Sequence, residues 1–277
     1  MNQLYLYVLI VFIFVIILLL GIYFYNIKCE NFKTKSKIPK NVYLTHKNDI
    51  DSNIIKNIKN LNPGYNVYFY NNEDCKNFFI KEYSNKPEYL KFINKLEKNK
   101  IGGPILADFW RVAILYKYGG IYLDSDIYLV KNFDYFIEKD TDFLTSKGWS
   151  WTPDYILNNK NNLNPHIIAC SKNDKILKQC LIKYEKLFNS NFNYSKMSIV
   201  NIMHDSFNKL KLFNSKNKNY KIQLLESNTD IITKIESNLN FDIRTLTYNS
   251  DKIYTKYNEY IIFYNSNQNY DSLNHKY

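Results

Sequence analysis

The chain has 277 residues, of which 45% are hydrophobic, including 26 Tyr and 18 Phe. This length and composition suit one large domain behind an N-terminal apolar segment, and they exclude wholesale disorder. The net charge of +11 admits a nucleic-acid partner, but the Lys residues are scattered. There is no RNP-like aromatic motif and no Arg-rich stretch, so we expect no nucleic-acid binding. The four Cys form neither a CxxC pair nor a disulfide framework.

Residues 1–27 are predicted to be a transmembrane anchor. Residues 4–25 include no charged side chain, and as a helix they would extend about 33 Å, enough for a bilayer core. Tyr residues at both ends are typical of the membrane interface. A cleaved signal peptide is the alternative, but no small-x-small cleavage site follows. We expect a single-pass membrane protein, with the side of the membrane left open.

The segments that follow predict one domain with alternating strands and helices. After a short polar stalk over 28–37, the domain is expected over 38–277. It opens with strands at 38–45 and 67–70, followed by helix-like patches over 73–97. A helix is predicted over 105–117 and a strand over 121–130, with further helices at 175–188 and 198–212 and a last strand at 260–264. This order favours an α/β fold with helices packed on a mainly parallel sheet.

The helix over 105–117 and the strand that follows carry a cluster of polar side chains. Asp108 and Arg111 are three residues apart and share one helix face. Tyr122, Asp124 and Asp126 alternate along a strand and share one strand face. The intervening Gly119-Gly120 allows a sharp turn, so both elements can present these groups to one place. Two carboxylates at this spacing suit Mg²⁺ or Mn²⁺, which commonly hold substrate phosphates with few protein ligands.

The same segment resembles the glycosyltransferases whose sugar-binding region contains a DxD motif. These include initiating α-1,6-mannosyltransferases, α-1,4-galactosyltransferases and capsular polysaccharide enzymes, with the clostridial glucosylating toxins as more distant relatives. The resemblance covers residues 38–136 best. The matching positions are Ala107, Asp108, Arg111, Leu115, Tyr116, Tyr118, Gly119, Gly120, Ile121, Tyr122, Leu123, Asp124 and Asp126.

The resemblance implies a GT-A-like fold and a metal-dependent transfer, usually with retention of the anomeric configuration. The donor would be a UDP- or GDP-hexose, the acceptor a glycan, glycolipid or glycoprotein, and the cofactor Mn²⁺ or Mg²⁺. By position, the resemblance implies the following roles. Asp108 and Arg111 contact the donor, Tyr122 lies near it, Asp124 binds donor and metal, Asp126 ligates the metal, and Leu44, Thr45 and Asn164 complete the donor site.

Two other functions fit part of the pattern. A membrane-anchored protein that binds glycans or nucleotide sugars without catalysis could keep this fold. The intact Asp108, Arg111, Asp124 and Asp126 argue against loss of the donor site. Phosphatases of the haloacid dehalogenase type also carry a DxD motif, but in the first strand of their domain. The sequence therefore favours a glycosyltransferase.

Overall fold

The computed structural model describes residues 12–13, 15–21, 36–99, 102–147, 163–212, 220–228, 254–257 and 260–265. The chain forms two compact units, Met1–Ser36 and Lys37–Tyr277. In the first unit, residues 12–13 and 15–21 are helical, whereas most of the predicted anchor and stalk lies outside the described residues. Across the described ranges, no helix has both the length and the apolar character to cross a bilayer.

The second unit is built on one sheet, with strand order β2-β1-β3-β6-β5-β7-β8-β9-β4 in the described part of the chain. The strands predicted at 38–45, 67–70 and 260–264 are present with slightly different ends. The predicted strand over 121–130 is two strands separated by a turn at residues 124–126. The strands are β1 Asn41–Thr45, β2 Asn66–Tyr70, β3 Gly120–Leu123, β4 Ile127–Leu129, β5 Phe143–Lys147, β6 Leu163–Cys170, β7 Ile222–Asn228, β8 Tyr254–Tyr257 and β9 Tyr260–Asn265.

The sheet is mixed, so the expectation of a mainly parallel sheet is wrong. Strand β1 runs parallel to β2 and β3, and β5 runs parallel to β7. Every other pairing among the described strands is antiparallel, beginning with β6, which lies between β3 and β5. Strand direction depends on how connections return to the sheet, and residue alternation carries no information about that.

Eight helices lie in the described part of this unit, and several begin at residues with strong capping preferences. Asn71 and Asp74 form a reciprocal capping box at one helix start, and Pro87 occupies the first turn of the next helix. The predicted region of helix-like patches over 73–97 thus forms two helices. The helices are α1 Ser52–Leu61, α2 Asn72–Glu82, α3 Pro87–Glu97, α4 Gly102–Tyr118, α5 Phe133–Phe136, α6 Lys175–Leu187, α7 Tyr194–Met197 and α8 Ile199–Lys209.

The two faces of the sheet bury separate apolar cores, as the alternation along β1 illustrates. Tyr43 belongs to the larger core, which α2, α3, α4, α6 and α8 cover. Val42 and Leu44 belong to the smaller core, which includes residues of α1 and α5. Successive side chains of a strand point to opposite faces, so a one-residue slip would exchange the two sets. This double burial makes β1 and β3 interior strands of the sheet.

Helix α4 and strand β3 are joined by the predicted sharp turn at Gly119-Gly120. Both glycines have positive φ angles, 66° and 113°. A Cβ at Gly119 would lie 2.7 Å from the Lys172 backbone nitrogen, and one at Gly120 would lie 2.6 Å from the Asn41 carbonyl oxygen. Only glycine fits both the backbone conformation and the available space here. The turn brings the end of α4 directly into the centre of the sheet.

Candidate active site

Asp108 lies on the buried face of α4 and contacts Arg111 of the same helix and Ile199 of α8. Its Oδ1 is 3.1 Å from Arg111 Nη2, and its Oδ2 accepts a hydrogen bond of 3.0 Å from the Ile199 backbone N–H at the start of α8. Burial raises the pKa of Asp108 to about 6, although Arg111 and the Ile199 N–H lower it. Asp108 therefore ties together two helices that are far apart in sequence.

Arg111 is the centre of the polar cluster and is only 8% exposed. Besides Asp108, its guanidinium is 3.1 Å from Asp124 Oδ1 and donates from Nη1 to the Pro165 carbonyl at 3.2 Å. The guanidinium carbon lies 4.2 Å from the centre of the Tyr122 ring, a cation–π contact that the planar arginine group makes well. Arg111 thus joins α4, β3 and β6 through one side chain.

Asp124 directly follows β3, where its orientation is fixed on three sides. Its Oδ1 accepts a 2.8 Å hydrogen bond from the Tyr122 hydroxyl in addition to the Arg111 contact. Its backbone N–H donates to the His166 carbonyl at 2.9 Å. The side chain is 30% exposed, and within the described ranges no hydrogen bond reaches Oδ2. One carboxylate oxygen is therefore held by the protein, and the other is available for a ligand.

Asp126 lies in the turn between β3 and β4 and is partly exposed. The Ile127 N–H donates to the Asp124 carbonyl at 3.2 Å, and this backbone hydrogen bond closes the turn. Within the described ranges, no group of three or more His, Cys, Asp or Glu side chains is arranged to hold a metal ion. The carboxylates of Asp124 and Asp126 nevertheless fit Mg²⁺ or Mn²⁺, because these ions complete their coordination with phosphate oxygens and water.

Leu44 and Thr45, which the resemblance assigns to the donor site, lie at the end of β1. The Leu44 side chain is wholly buried in the smaller core, so only its backbone is left for a donor contact. Thr45 is also buried, and its hydroxyl donates to the Tyr70 carbonyl at 2.8 Å and lies 3.2 Å from Cys75 Sγ. Both side chains are therefore engaged inside the protein.

Asn164 lies at the start of β6, next to Pro165, whose carbonyl accepts from Arg111. Its Oδ1 accepts a 3.3 Å hydrogen bond from the His166 backbone N–H, and the residue is partly exposed. The structure therefore brings Asp108, Arg111, Tyr122 and Asp124 into direct contact. Asn164 is linked to this group through the neighbouring Pro165 and His166.

Residues 48–144 match the family model described as a glycosyltransferase sugar-binding region containing a DXD motif. This stretch is similar to the sugar-binding region of glycosyltransferases. It contains Asp108, Arg111, Tyr122, Asp124 and Asp126, so the expected family resemblance is confirmed.

Two proteins that are similar to parts of this chain carry the name glycosyltransferase. An uncharacterised glycosyltransferase of Acanthamoeba polyphaga mimivirus is 38% identical over 82 residues, which are 30% of this chain and 30% of the viral protein. The match thus spans less than a third of that relative's length. The solved structure titled PaToxG Glycosyltransferase has a TM-score of 0.50 at 18% identity, covering 65% of this chain and 72% of that chain. This second likeness shows the fold.

Sequence reasoning missed a group of residues beyond the matched glycosyltransferase region. Thr145, Ser146 and His166 are all buried, and the His166 carbonyl accepts a hydrogen bond from the Asp124 N–H. Burial lowers the pKa of His166 to about 4, so the ring is neutral at pH 7. Only the Leu163-Asn164 pair that precedes Pro165 and His166 gave a sequence signal for this part of the site.

Proposed function

We propose that the chain is a metal-dependent glycosyltransferase that transfers a hexose from a UDP- or GDP-sugar to a glycan, glycolipid or glycoprotein hydroxyl. The observation that carries this proposal is the state of Asp124. Its Oδ1 is held by Arg111 and Tyr122, and its side chain is 30% exposed, which leaves Oδ2 for a ligand. A carboxylate held in this way, two residues before a second carboxylate, fits a metal-bound diphosphate rather than a surface ion pair.

Asp124 and Asp126 are the residues that would hold Mn²⁺ or Mg²⁺ together with donor phosphate oxygens. A divalent cation at this place would offset the negative charge that develops on the departing diphosphate. In the transfer, the bond between the anomeric carbon and the diphosphate oxygen breaks, and a bond to the acceptor oxygen forms. For the retention that we propose, the departing phosphate oxygen accepts the acceptor's proton.

Arg111 contributes to this reaction by holding Asp124 in place. The guanidinium contacts two carboxylates, a carbonyl and an aromatic ring, all of them groups of the protein. The family resemblance implies donor contacts for Asp108 and Arg111, and the contacts here support a positioning role for both. The Tyr122 hydroxyl assists by donating a hydrogen bond to Asp124 Oδ1, the same oxygen that Arg111 contacts.

We also propose that residues 1–27 anchor the enzyme in a membrane. The support is the uncharged apolar sequence over 4–25 and the exposed apolar side chains of the helical residues. These are Phe12, Ile13, Val15, Ile16, Ile17, Leu18, Leu19 and Leu20. An apolar surface of this kind is costly in water and stable in lipid.

The test is nucleotide release by the full chain in detergent. The chain would be incubated with UDP-glucose, UDP-galactose, UDP-N-acetylglucosamine and GDP-mannose, each with Mn²⁺ and each with a chelator. We expect release from one donor that requires the metal and disappears in Asp126→Asn. Unchanged activity of Asp126→Asn would contradict the assignment of the site. Donor binding without release from any donor would instead indicate a catalytically inactive sugar-nucleotide-binding protein.

A further inference from the structure

Strand β6 contains a bulge of three residues directly beside Asp124. In the pairing with β5, Thr145 is opposite Ile168, but the next residue, Ser146, is opposite Asn164. Residues 165–167 are therefore extra on β6, and we call them the β6 bulge. Pro165 suits this position because proline lacks the N–H that a regular central strand would need. Bulges are frequent beside active sites, where they redirect individual groups.

The β6 bulge makes two contacts with the candidate site, both through carbonyl groups. The Pro165 carbonyl accepts from Arg111 Nη1 at 3.2 Å, and the His166 carbonyl accepts from the Asp124 N–H at 2.9 Å. The first contact orients the guanidinium that holds the Asp124 carboxylate, and the second holds the Asp124 backbone. The Arg111 guanidinium and the Asp124 backbone are thus both held by carbonyl groups of adjacent residues in the β6 bulge.

Two buried hydroxyl groups of β5 lock the β6 bulge. The Thr145 hydroxyl donates to the Ile167 carbonyl at 2.9 Å, and the Ser146 hydroxyl donates to the Asn164 carbonyl at 2.9 Å. Ser146 Oγ is also 2.9 Å from His166 Nε2. Because the serine proton is already given to Asn164, the imidazole Nε2–H is the donor in this third bond. Side chains of β5 therefore hydrogen-bond to the Asn164 carbonyl just before the bulge, to the His166 imidazole and to the Ile167 carbonyl.

We propose that the β6 bulge, locked by Thr145 and Ser146, orients Asp124 toward the cation and diphosphate of the donor. Thr145 and Ser146 are positioning residues, since they reach Asp124 only through the bulge. Loss of either hydroxyl would leave a buried carbonyl without that donor, and the segment would relax away from its present path. This inference rests on the proposed metal-dependent activity, and it assigns part of the site to residues outside the glycosyltransferase region at 48–144.

The test compares Thr145→Val with Thr141→Val in the full chain. Both threonines are fully buried, and each hydroxyl makes a hydrogen bond, that of Thr141 to Gln223 Oε1 at 3.0 Å. The substitution is the same, but the Thr141 hydroxyl bonds to β7 and not to the β6 bulge. Three quantities are measured for each variant: Mn²⁺ affinity in the presence of UDP by electron paramagnetic resonance, kcat and donor KM, and the thermal unfolding midpoint.

We expect Thr145→Val to weaken Mn²⁺ binding about tenfold and to lower kcat by a similar factor, with little change in donor KM. Thr141→Val should bind Mn²⁺ like the wild type at a comparable unfolding midpoint, and Thr145→Ser should restore binding. If Thr145→Val does not fold, Ser146→Ala is compared with Ser206→Ala, another buried serine. Wild-type Mn²⁺ affinity in the folded bulge variant overturns this inference alone. A wild-type chain that neither binds Mn²⁺ nor turns over donor overturns the proposed function, and this inference with it.

Discussion

Arg111 is the residue whose loss should disturb the site most, because it separates two carboxylates in a nearly dry environment. Its side chain is 10% exposed and lies 3.1 Å from both Asp108 and Asp124. In Arg111→Ala the two carboxylates would face each other without a cation. We expect the free energy of unfolding in chelator at pH 7 to fall by about 3–5 kcal/mol. Urea denaturation measures this loss.

The partner in a double-mutant cycle is Asp108, whose carboxylate becomes unpaired in the Arg111→Ala protein. Adding Asp108→Asn to that protein should recover part of the lost stability, because it removes one of the buried charges. Arg111→Lys should lie between wild type and Arg111→Ala, since one ammonium group cannot contact two carboxylates as a fork does. Equal urea midpoints for wild type and Arg111→Ala would show that the ion pairs contribute nothing.

His166 makes the stability of the protein depend on pH. Burial lowers the pKa of His166 in the folded state from 6.5 to about 4. At a pH between these two values, the ring is protonated in the unfolded chain and neutral in the folded chain. The stabilising contribution is complete above pH 6.5 and is lost as the pH falls toward 4. At about 1.4 kcal/mol per pH unit, the loss approaches roughly 3 kcal/mol.

The measurement is a set of urea unfolding curves between pH 7 and pH 4.5 in chelator, for wild type and His166→Gln. The glutamine cannot titrate, so the difference in stability between the two proteins should narrow as the pH falls. Asp108, with its pKa raised to about 6, acts in the opposite direction in both proteins and cancels in the comparison. Parallel stability curves across this range would mean that His166 takes up its proton equally well in the folded state.

At the scale of elements, the turn between α4 and β3 determines whether Arg111 and Asp124 can meet. Both glycines have positive φ angles, and a Cβ at Gly120 would lie 2.6 Å from the Asn41 carbonyl. We expect Gly120→Ala to lower the free energy of unfolding by about 2 kcal/mol or more and to reduce nucleotide release. Thermal unfolding and the release assay measure the two effects.

Gly103 is the matched control for this substitution. It lies in the first turn of α4, and a Cβ there would meet no atom within 4 Å. Alanine is favoured over glycine in helices by about 1 kcal/mol, so Gly103→Ala should be neutral or slightly stabilising and fully active. Equal losses in Gly103→Ala and Gly120→Ala would mean that the backbone of the turn is not the cause.

The parts of the site within one or two adjacent elements could be predicted from sequence. Asp108 and Arg111 were expected on one helix face and Gly119-Gly120 in a sharp turn, as they are in the structure. Tyr122, Asp124 and Asp126 were expected on one strand face, but β3 ends at Leu123, and Asp124 and Asp126 lie in the turn that follows. The first two relations depend only on the repeat of a helix and on the special conformations of glycine. They require no knowledge of how distant segments pack.

The parts that depend on distant segments could not be predicted. Ile199 donates to Asp108 from 91 residues away, and the pairing of Ser146 with His166 depends on a bulge that residue alternation does not encode. The antiparallel direction of β6 was missed for the same reason, since strand direction is set by the connections. The family resemblance implied a donor contact for Leu44, but its side chain is buried in the smaller core.

At the scale of the whole molecule, the site needs both halves of the domain. The glycosyltransferase region at 48–144 supplies Asp108, Arg111, Asp124 and Asp126. The segment after it supplies the carbonyls of the β6 bulge and the N–H of Ile199, which hold the first three in place. The second half therefore contributes orientation, through backbone groups that contact Asp108, Arg111 and Asp124.

The last prediction separates the N-terminal unit from catalysis. Removing residues 1–36, the first compact unit, should move the protein from the membrane pellet to the supernatant of a cell lysate. The candidate site lies wholly in the second unit, so nucleotide release per mole of protein should be unchanged.

A matched full-length control carries Ile17→Lys and Leu18→Lys, because charged residues near a bilayer centre cost about 2.5–3.5 kcal/mol each. This variant should also leave the pellet while keeping its activity. If both altered proteins stay in the pellet, residues 1–27 are not the anchor. If the shortened protein loses activity while the Lys variant keeps it, the first unit supports the fold of the second.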